Sequence, residues 1–213
     1  MRPLMKNPVL ILALAISGGA MALGIWSWQQ WVKTTSTNSA KQWAVATVLP
    51  AGRVVPDVQL LDENAQAFSF TGLENNWRLL FFGFTHCPDI CPGTLAFLAT
   101  VNKALVAEQR KPIEMIFVSV DPQRDTPEKI RAYVQYFDAD MRGVTGDMAA
   151  LQKLTSGLYL PFAISEPDER GNYNVDHSGS LVLVNPQNQV RAYFSAPHQL
   201  EPVLKDLRKL IYP

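Results

Sequence analysis

From Val9 to Trp26 the chain reads VLILALAISGGAMALGIW, 18 residues without a charge, with Arg2 and Lys6 before it and Trp28, Trp31 and Lys33 after it. A run of that length spans the apolar core of a bilayer, with tryptophans at one interface. It predicts an uncleaved transmembrane anchor over residues 9–31. The alternative, a cleaved signal peptide, usually has an apolar core of only about 7–15 residues ahead of a small-residue cleavage site. The basic residues place residues 1–8 in the cytoplasm and the bulk of the chain outside. Eight residues leave no room for an Arg-rich transit peptide, so the pattern fits a bacterial inner membrane with the domain in the oxidising periplasm. Thr34 to Lys41 (TTSTNSAK) is polar and lacks a core pattern, which makes residues 32–42 a linker and 43–213 the folded domain.

Inside the domain, short apolar runs alternate with helical patterns. Val58 to Leu61 and Ala67 to Phe70 flank Asp62-Glu63-Asn64 and predict a small hairpin before the main sheet. Trp77 to Phe84 (WRLLFFGF) and Ile113 to Val120 (IEMIFVSV) are nearly unbroken apolar runs of strand length, the signature of central strands covered on both faces. Pro92 is tolerated in a first helical turn, and Leu95, Leu98, Val101 and Leu105 then recur at helical spacing, so a helix starts around Cys91. Thr126-Pro127-Glu128 supplies an N-cap, a proline and an acid for a helix through Phe137. Asp147 caps another to about Ser156, stopped by Gly157. Leu160 to Ile164, Leu181 to Val184 and Val190 to Phe194 predict strands, the last two forming a hairpin through Asn185-Pro186-Gln187-Asn188. Leu200 to Leu210 closes the chain as an amphipathic helix. The order predicts an α/β three-layer sandwich of thioredoxin-like topology, with its ligand site at the strand C-termini.

Composition adds two constraints. Without Arg2 and Lys6, 17 of the 19 basic residues remain against 19 acidic ones, so the domain has no basic surplus to coat phosphate and nucleic acid is excluded as a partner. The chain has two cysteines, too few for the disulfide framework of a small secreted protein, and a domain of this size builds a core without one. The pair is therefore chemical rather than structural.

Both cysteines lie in Phe84-Thr85-His86-Cys87-Pro88-Asp89-Ile90-Cys91-Pro92-Gly93, directly after the first central strand. Residues four apart on a helix meet the distance that a disulfide needs, so Cys87 and Cys91 can pair when oxidised or clamp a soft metal when reduced. The helix N-terminus favours thiolate; Asp89 either softens that effect or stabilises the first turn. Soft thiolates select Cu(I) or zinc, and two alone seldom complete either shell. Three histidines are candidates for the missing donor. His86 adjoins Cys87 and points away if the segment is extended, which suits a turn residue. His198 follows Pro197 at the start of the last helix, where a capping or exposed role is the ordinary one. His177, in Tyr173-Asn174-Val175-Asp176-His177-Ser178, precedes the strand Leu181 to Val184, and in a thioredoxin-like sheet that loop faces the redox cysteines. Placement favours His177 over a plain surface histidine.

FTHCPDICP, then SVDPQRDTPE, then VDHSGSLVLVNP, in that order behind one apolar anchor, resemble the SenC/Sco family of copper chaperones for cytochrome c oxidase assembly, from about Val54 to the C-terminus. The resemblance implies Cys87, Cys91 and His177 as ligands of one copper ion, as Cu(I) or Cu(II), a thioredoxin-like fold, and the copper-carrying subunit II of the oxidase as client. It leaves the upstream copper donor unnamed. Asp121 and Asp125 fall in the shared segment, as residues that orient the ligands or dock a partner, or as strand-end turn and helix-capping residues. Thioredoxins space their cysteines by two residues rather than three, and a peroxiredoxin would need its threonine three residues before the cysteine, whereas Thr85 is two before Cys87.

Three functions follow as expectations: a copper metallochaperone; a thiol–disulfide reductase that keeps the client's copper-site cysteines reduced; and an anchored scaffold with an incidental Cys87–Cys91 disulfide. The first is not enzymatic; the second is, with Cys87 and Cys91 as the catalytic pair.

Overall fold

All six residues of Arg78–Gly83 are buried, and because successive strand residues point to opposite faces, both faces of this strand are covered. That is the three-layer arrangement read from the apolar run. The computed structural model describes residues 19–32, 43–73, 76–111 and 113–212 and divides into two units, residues 1–43 and 44–213. In the first unit α1 (residues 19–32) is helical, and its Met21, Leu23, Ile25, Trp26, Trp28 and Trp31 are exposed. The expectations for residues 1–18 and 33–42 lie outside the described residues.

The second unit runs β1 (Ala46–Val54), β2 (Leu60–Asp62), β3 (Ala67–Phe68), β4 (Arg78–Gly83), α2 (Ile90–Ala107), β5 (Glu114–Ser119), α3 (Pro127–Phe137), β6 (Arg142–Thr145), α4 (Met148–Gly157), β7 (Ala163–Ile164), β8 (Val175–Asp176), β9 (Leu181–Val184), β10 (Gln189–Phe194) and α5 (Leu200–Ile211). Eight strands form one sheet in the order β1-β10-β9-β4-β5-β6-β2-β3, while β7 and β8 pair only with each other. β4, β5 and β6 are parallel, and β9 lies antiparallel to β4 with Phe81 opposite Leu181. The C-terminal ends of β4 and β5 and the N-terminal end of β9 therefore share one edge of the sheet.

The helices bury the faces that their spacing predicts. Leu95, Leu98, Val101 and Leu105 of α2, Ile130 and Val134 of α3 and Leu207 of α5 are fully buried, in one core cluster with Phe81, Phe117, Val182 and Leu183 of the sheet. α2 is long and apolar enough to cross a membrane by length and composition, but its buried face makes it the core helix of the domain. Thr126 caps α3, its hydroxyl accepting from Lys129 N at 3.4 Å, and Asp147 caps α4 by accepting from Ala150 N at 2.7 Å.

Four details differ from expectation. β1 and β6 were not predicted: Pro50-Ala51-Gly52 interrupts the alternation of β1 at a register shift, and β6 is four residues long with a glycine, Gly143, pressed against Ile130 of α3. The β2–β3 hairpin joins the far edge of the main sheet through β6 rather than preceding it. The predicted strand Leu160 to Ile164 shrinks to two residues. Gly157 does not stop α4: Tyr159 takes the left-handed turn at φ 56°, with Leu160 N donating to Thr155 O at 2.8 Å and Tyr159 N to Ser156 O at 3.1 Å, the paired closure of a Schellman end.

Candidate metal centre

Where β4 ends, the chain turns into α2 through the cysteine loop. Gly83 makes the approach possible. A side-chain carbon there would stand 2.7 Å from Cys91 Sγ, so the missing side chain is the space that the sulfur occupies. Cys87 N donates to Phe84 O at 3.3 Å, and Gly93 N to Asp89 O at 3.3 Å, which closes the loop into the first helical turn. The loop is braced from the segment between β5 and α3: the Asp125 carboxylate accepts from Thr85 N at 2.8 Å, Thr85 Oγ1 at 2.5 Å and, at the end of β5, Ser119 Oγ at 2.6 Å. Both cysteines are free thiols, Cys91 buried and Cys87 half-buried.

The third arm arrives from the other side of β4. His177 follows β8 and precedes β9, with its Nε2 3.5 Å from Cys91 Sγ. Its Nδ1 lies 3.1 Å from the Ser178 carbonyl, which accepts a hydrogen bond from Nδ1–H and leaves the Nε2 lone pair toward the sulfur, a tautomer assigned from the hydrogen-bond network. Phe81 and Phe84 meet the imidazole edge-on, ring centres 6.0 and 5.7 Å away. The donor atoms of Cys87, Cys91 and His177 all lie within 4.8 Å of one another. A cavity of about 310 Å³ opens beside them, lined by Cys87, Pro88, Ile90, Asp176 and His177 among others.

Burial dominates the electrostatics. It pushes the Cys91 thiol well above the ordinary thiol range, with neighbouring Cys87 and the Asp125 charge adding to the rise and a backbone bond at Phe84 opposing it. The expectation that the helix N-terminus makes the pair thiolate is therefore corrected for Cys91: desolvation outweighs the helix end. Burial also lowers the His177 pKa, partly countered by the carbonyls of Ser178 and Phe82 and the Asp176 charge. This favours the neutral, donor form of the imidazole. Two thiols and a neutral imidazole are a soft set suited to Cu(I) or zinc.

The other candidates do other things. His86 is turned to Asp125 Oδ1 at 3.5 Å with its side chain 48% exposed, away from the sulfurs as expected. His198 is neither exposed nor a cap: it stacks on Phe97 at 5.3 Å and lies 2.9 Å from the Gly179 carbonyl. Asp89 occupies the N-cap position of α2 without a side-chain capping bond. Asp125 is not a helix cap, because Thr126 fills that role; it holds the cysteine loop. Asp121 combines two jobs, since its backbone carbonyl accepts from Arg124 N and Asp125 N in a turn while its carboxylate accepts from Arg124 Nε at 2.5 Å and the Tyr173 hydroxyl at 2.7 Å. Gly83, Ser119, Arg124 and Tyr173 were not singled out from sequence, and Thr85 was weighed only against a peroxiredoxin. Their partners lie between 3 and 52 positions away along the chain, and only the position of Arg124 and Asp125 within the shared DPQRD motif hinted at a role.

Comparison with known proteins agrees with this geometry. The model of the SCO1/SenC family matches residues 47–212. A protein of Stutzerimonas stutzeri named for copper binding is 36% identical over 207 residues, covering 97% of this chain and 95% of that one. The mitochondrial SCO2 homologue of Mus musculus is 31% identical over 217 residues, covering 98% of this chain and 80% of that one. The solved structure of Bradyrhizobium japonicum ScoI with copper bound superposes with a TM-score of 0.65 at 31% identity, over 73% of this chain and 98% of that one.

Proposed function

The chain belongs to the SCO1/SenC family, and from that premise we propose that it is a membrane-anchored copper metallochaperone that holds one copper ion through Cys87, Cys91 and His177 and delivers it to subunit II of cytochrome c oxidase. The observation that carries the reading is the convergence of three soft donor atoms within 4.8 Å in a chain similar to a protein named for copper binding and to a copper-bound ScoI. Copper is cargo here. Cys91 is buried while Cys87 and His177 are half-buried, so a client's thiols can attack from the open Cys87 side while Cys91 still holds the ion. Two thiolates and a neutral imidazole balance the charge of Cu(II) and carry one net negative charge with Cu(I), so either state is tolerable. Residues 9–31 anchor the chain, residues 32–42 tether it, and the domain works in the periplasm of a bacterial inner membrane; the exposed tryptophans of α1 support this.

Copper titration of the full chain in detergent, reduced and oxidised, tests the proposal. Reduced protein is expected to take one equivalent with sulfur-to-copper charge transfer, and oxidised protein none. Cys87→Ser, Cys91→Ser and His177→Ala should each weaken binding at least tenfold, the scale on which loss of a metal ligand or its support is felt; a Cys91→Ser variant with full affinity would remove the central claim.

A second reading has its own observation. The paired free thiols, one half-exposed and one buried, are arranged as an attacking and a resolving cysteine, which suits reduction of the client's cysteines before loading. His177→Ala separates the two, because reductase activity does not need the imidazole.

A further inference from the structure

The β7–β8 hairpin that delivers His177 stands outside the eight-stranded sheet, with two residues in each strand. A ribbon that short is not stable by its own ladder. Its backbone is tied to the rest of the domain at Tyr173, four positions before the histidine. The Tyr173 hydroxyl donates to Asp121 Oδ1 at 2.7 Å, its carbonyl accepts from Arg124 Nη1 at 3.1 Å, and the guanidinium carbon of Arg124 lies 3.7 Å from the centre of its ring. Arg124 Nε donates to Asp121 Oδ2 at 2.5 Å, so carboxylate, guanidinium and phenol close a triangle on a fully buried aspartate. The same guanidinium lies 5.5 Å from the ring centre of Phe84, the residue that begins the cysteine loop and packs against His177. Burial and the Asp121 bond push the Tyr173 hydroxyl up to about 12, which keeps it a donor at neutral pH.

We propose that Tyr173, latched by Asp121 and Arg124, is the positioning residue that fixes His177 against Cys91, an inference that rests on the reading of Cys87, Cys91 and His177 as copper ligands. The latch ties the histidine arm to the segment whose next residue, Asp125, braces the cysteine loop. One stretch, Asp121 to Asp125, thereby sets the spacing between the two halves of the donor set. Tyr173 touches no copper in this scheme; it acts through the arm.

Tyr173→Phe keeps the ring under Arg124 and removes only the hydroxyl bond. In the full chain in detergent, Cu(I) affinity measured against a chromophoric chelator is expected to fall about tenfold, as for a lost hydrogen bond to a charged group. In a His177→Ala background the same change should cost nothing further. Amide hydrogen exchange of the metal-free protein should quicken across residues 165–178 and stay unchanged in α5. Arg124→Lys, which cannot bridge Asp121 and the Tyr173 carbonyl in the same way, should give the same pattern. An equal affinity loss with and without His177 would overturn the proposal by showing a general folding defect. Unchanged exchange in the arm, or faster exchange with undiminished affinity, would overturn it as well. If His177→Ala itself leaves copper affinity intact, the ligand reading fails, and the exchange data alone decide whether the latch holds the arm.

Discussion

A methyl group at Gly83 would stand 2.7 Å from Cys91 Sγ, 3.1 Å from the Phe117 ring and 3.2 Å from the Phe81 ring, and all three neighbours are buried. The rings are wedged in the sheet, so the sulfur is the atom that gives way. Gly83→Ala is expected to destabilise the domain by about 1–3 kcal/mol, the usual cost of overpacking, and to weaken copper binding because Cys91 leaves its place beside His177. Urea denaturation and chelator competition measure the two effects; a variant unchanged in both would show that the strand end yields without cost. The cysteine pair was legible because a separation of four residues is a local property, even though Cys87 lies in the loop before α2, and His177 because it adjoins a strand whose place in the sheet could be predicted. Gly83 was not, since a glycine within an apolar run reads the same whether its missing side chain admits a sulfur or nothing. Nor was the pairing of Tyr173 with Asp121, which depends on how two loops meet.

At the level of elements, the central strands and the helices were written in the apolar pattern, and the edge of the sheet was not. β1 has half-covered and exposed residues in no clean alternation; β10 pairs with it, and its N-terminal end is also held by α5. Asp206, 1% exposed on α5, accepts from Ala44 N at 2.8 Å, Val45 N at 2.8 Å and Ala46 N at 2.8 Å. Three consecutive backbone donors thus converge on one carboxylate where the folded unit begins. Asp206→Ala removes the shared acceptor of donors on exposed and half-buried residues, where water can replace part of it, and is expected to cost about 1.5–3 kcal/mol, the range for hydrogen bonds to a charged group. Guanidinium unfolding should show the loss, while copper affinity of the folded fraction stays the same, because no donor atom is held by α5. A fall in affinity would mean that β1 carries strain to the site.

For the molecule as a whole, burial pushes the pKa of both His177 and His198 down. A lowered folded-state value means that protons favour the unfolded chain. The stability held by the neutral rings is therefore full above the ordinary imidazole range, near 6.5, and is lost as pH falls through the folded values. The metal-free protein should be less stable at pH 5 than at pH 8, and His198→Gln should narrow that difference. An identical pH profile for wild type and variant would sink this assignment to His198. The same placement of groups explains why the fold was more readable than the site: the core follows from which residues avoid water, whereas the state of a buried thiol or imidazole depends on how completely tertiary packing excludes it.

The donor set is assembled from two distant parts of the chain, with Cys91 and His177 86 positions apart, and it closes because β9 slots antiparallel beside β4. A chain made from its N-terminus presents its cysteines long before its histidine, and until β9 has docked it has a dithiol but no third donor. If the three donors hold copper as proposed, full affinity is then a certificate of a finished sheet, which a half-made or misfolded copy lacks.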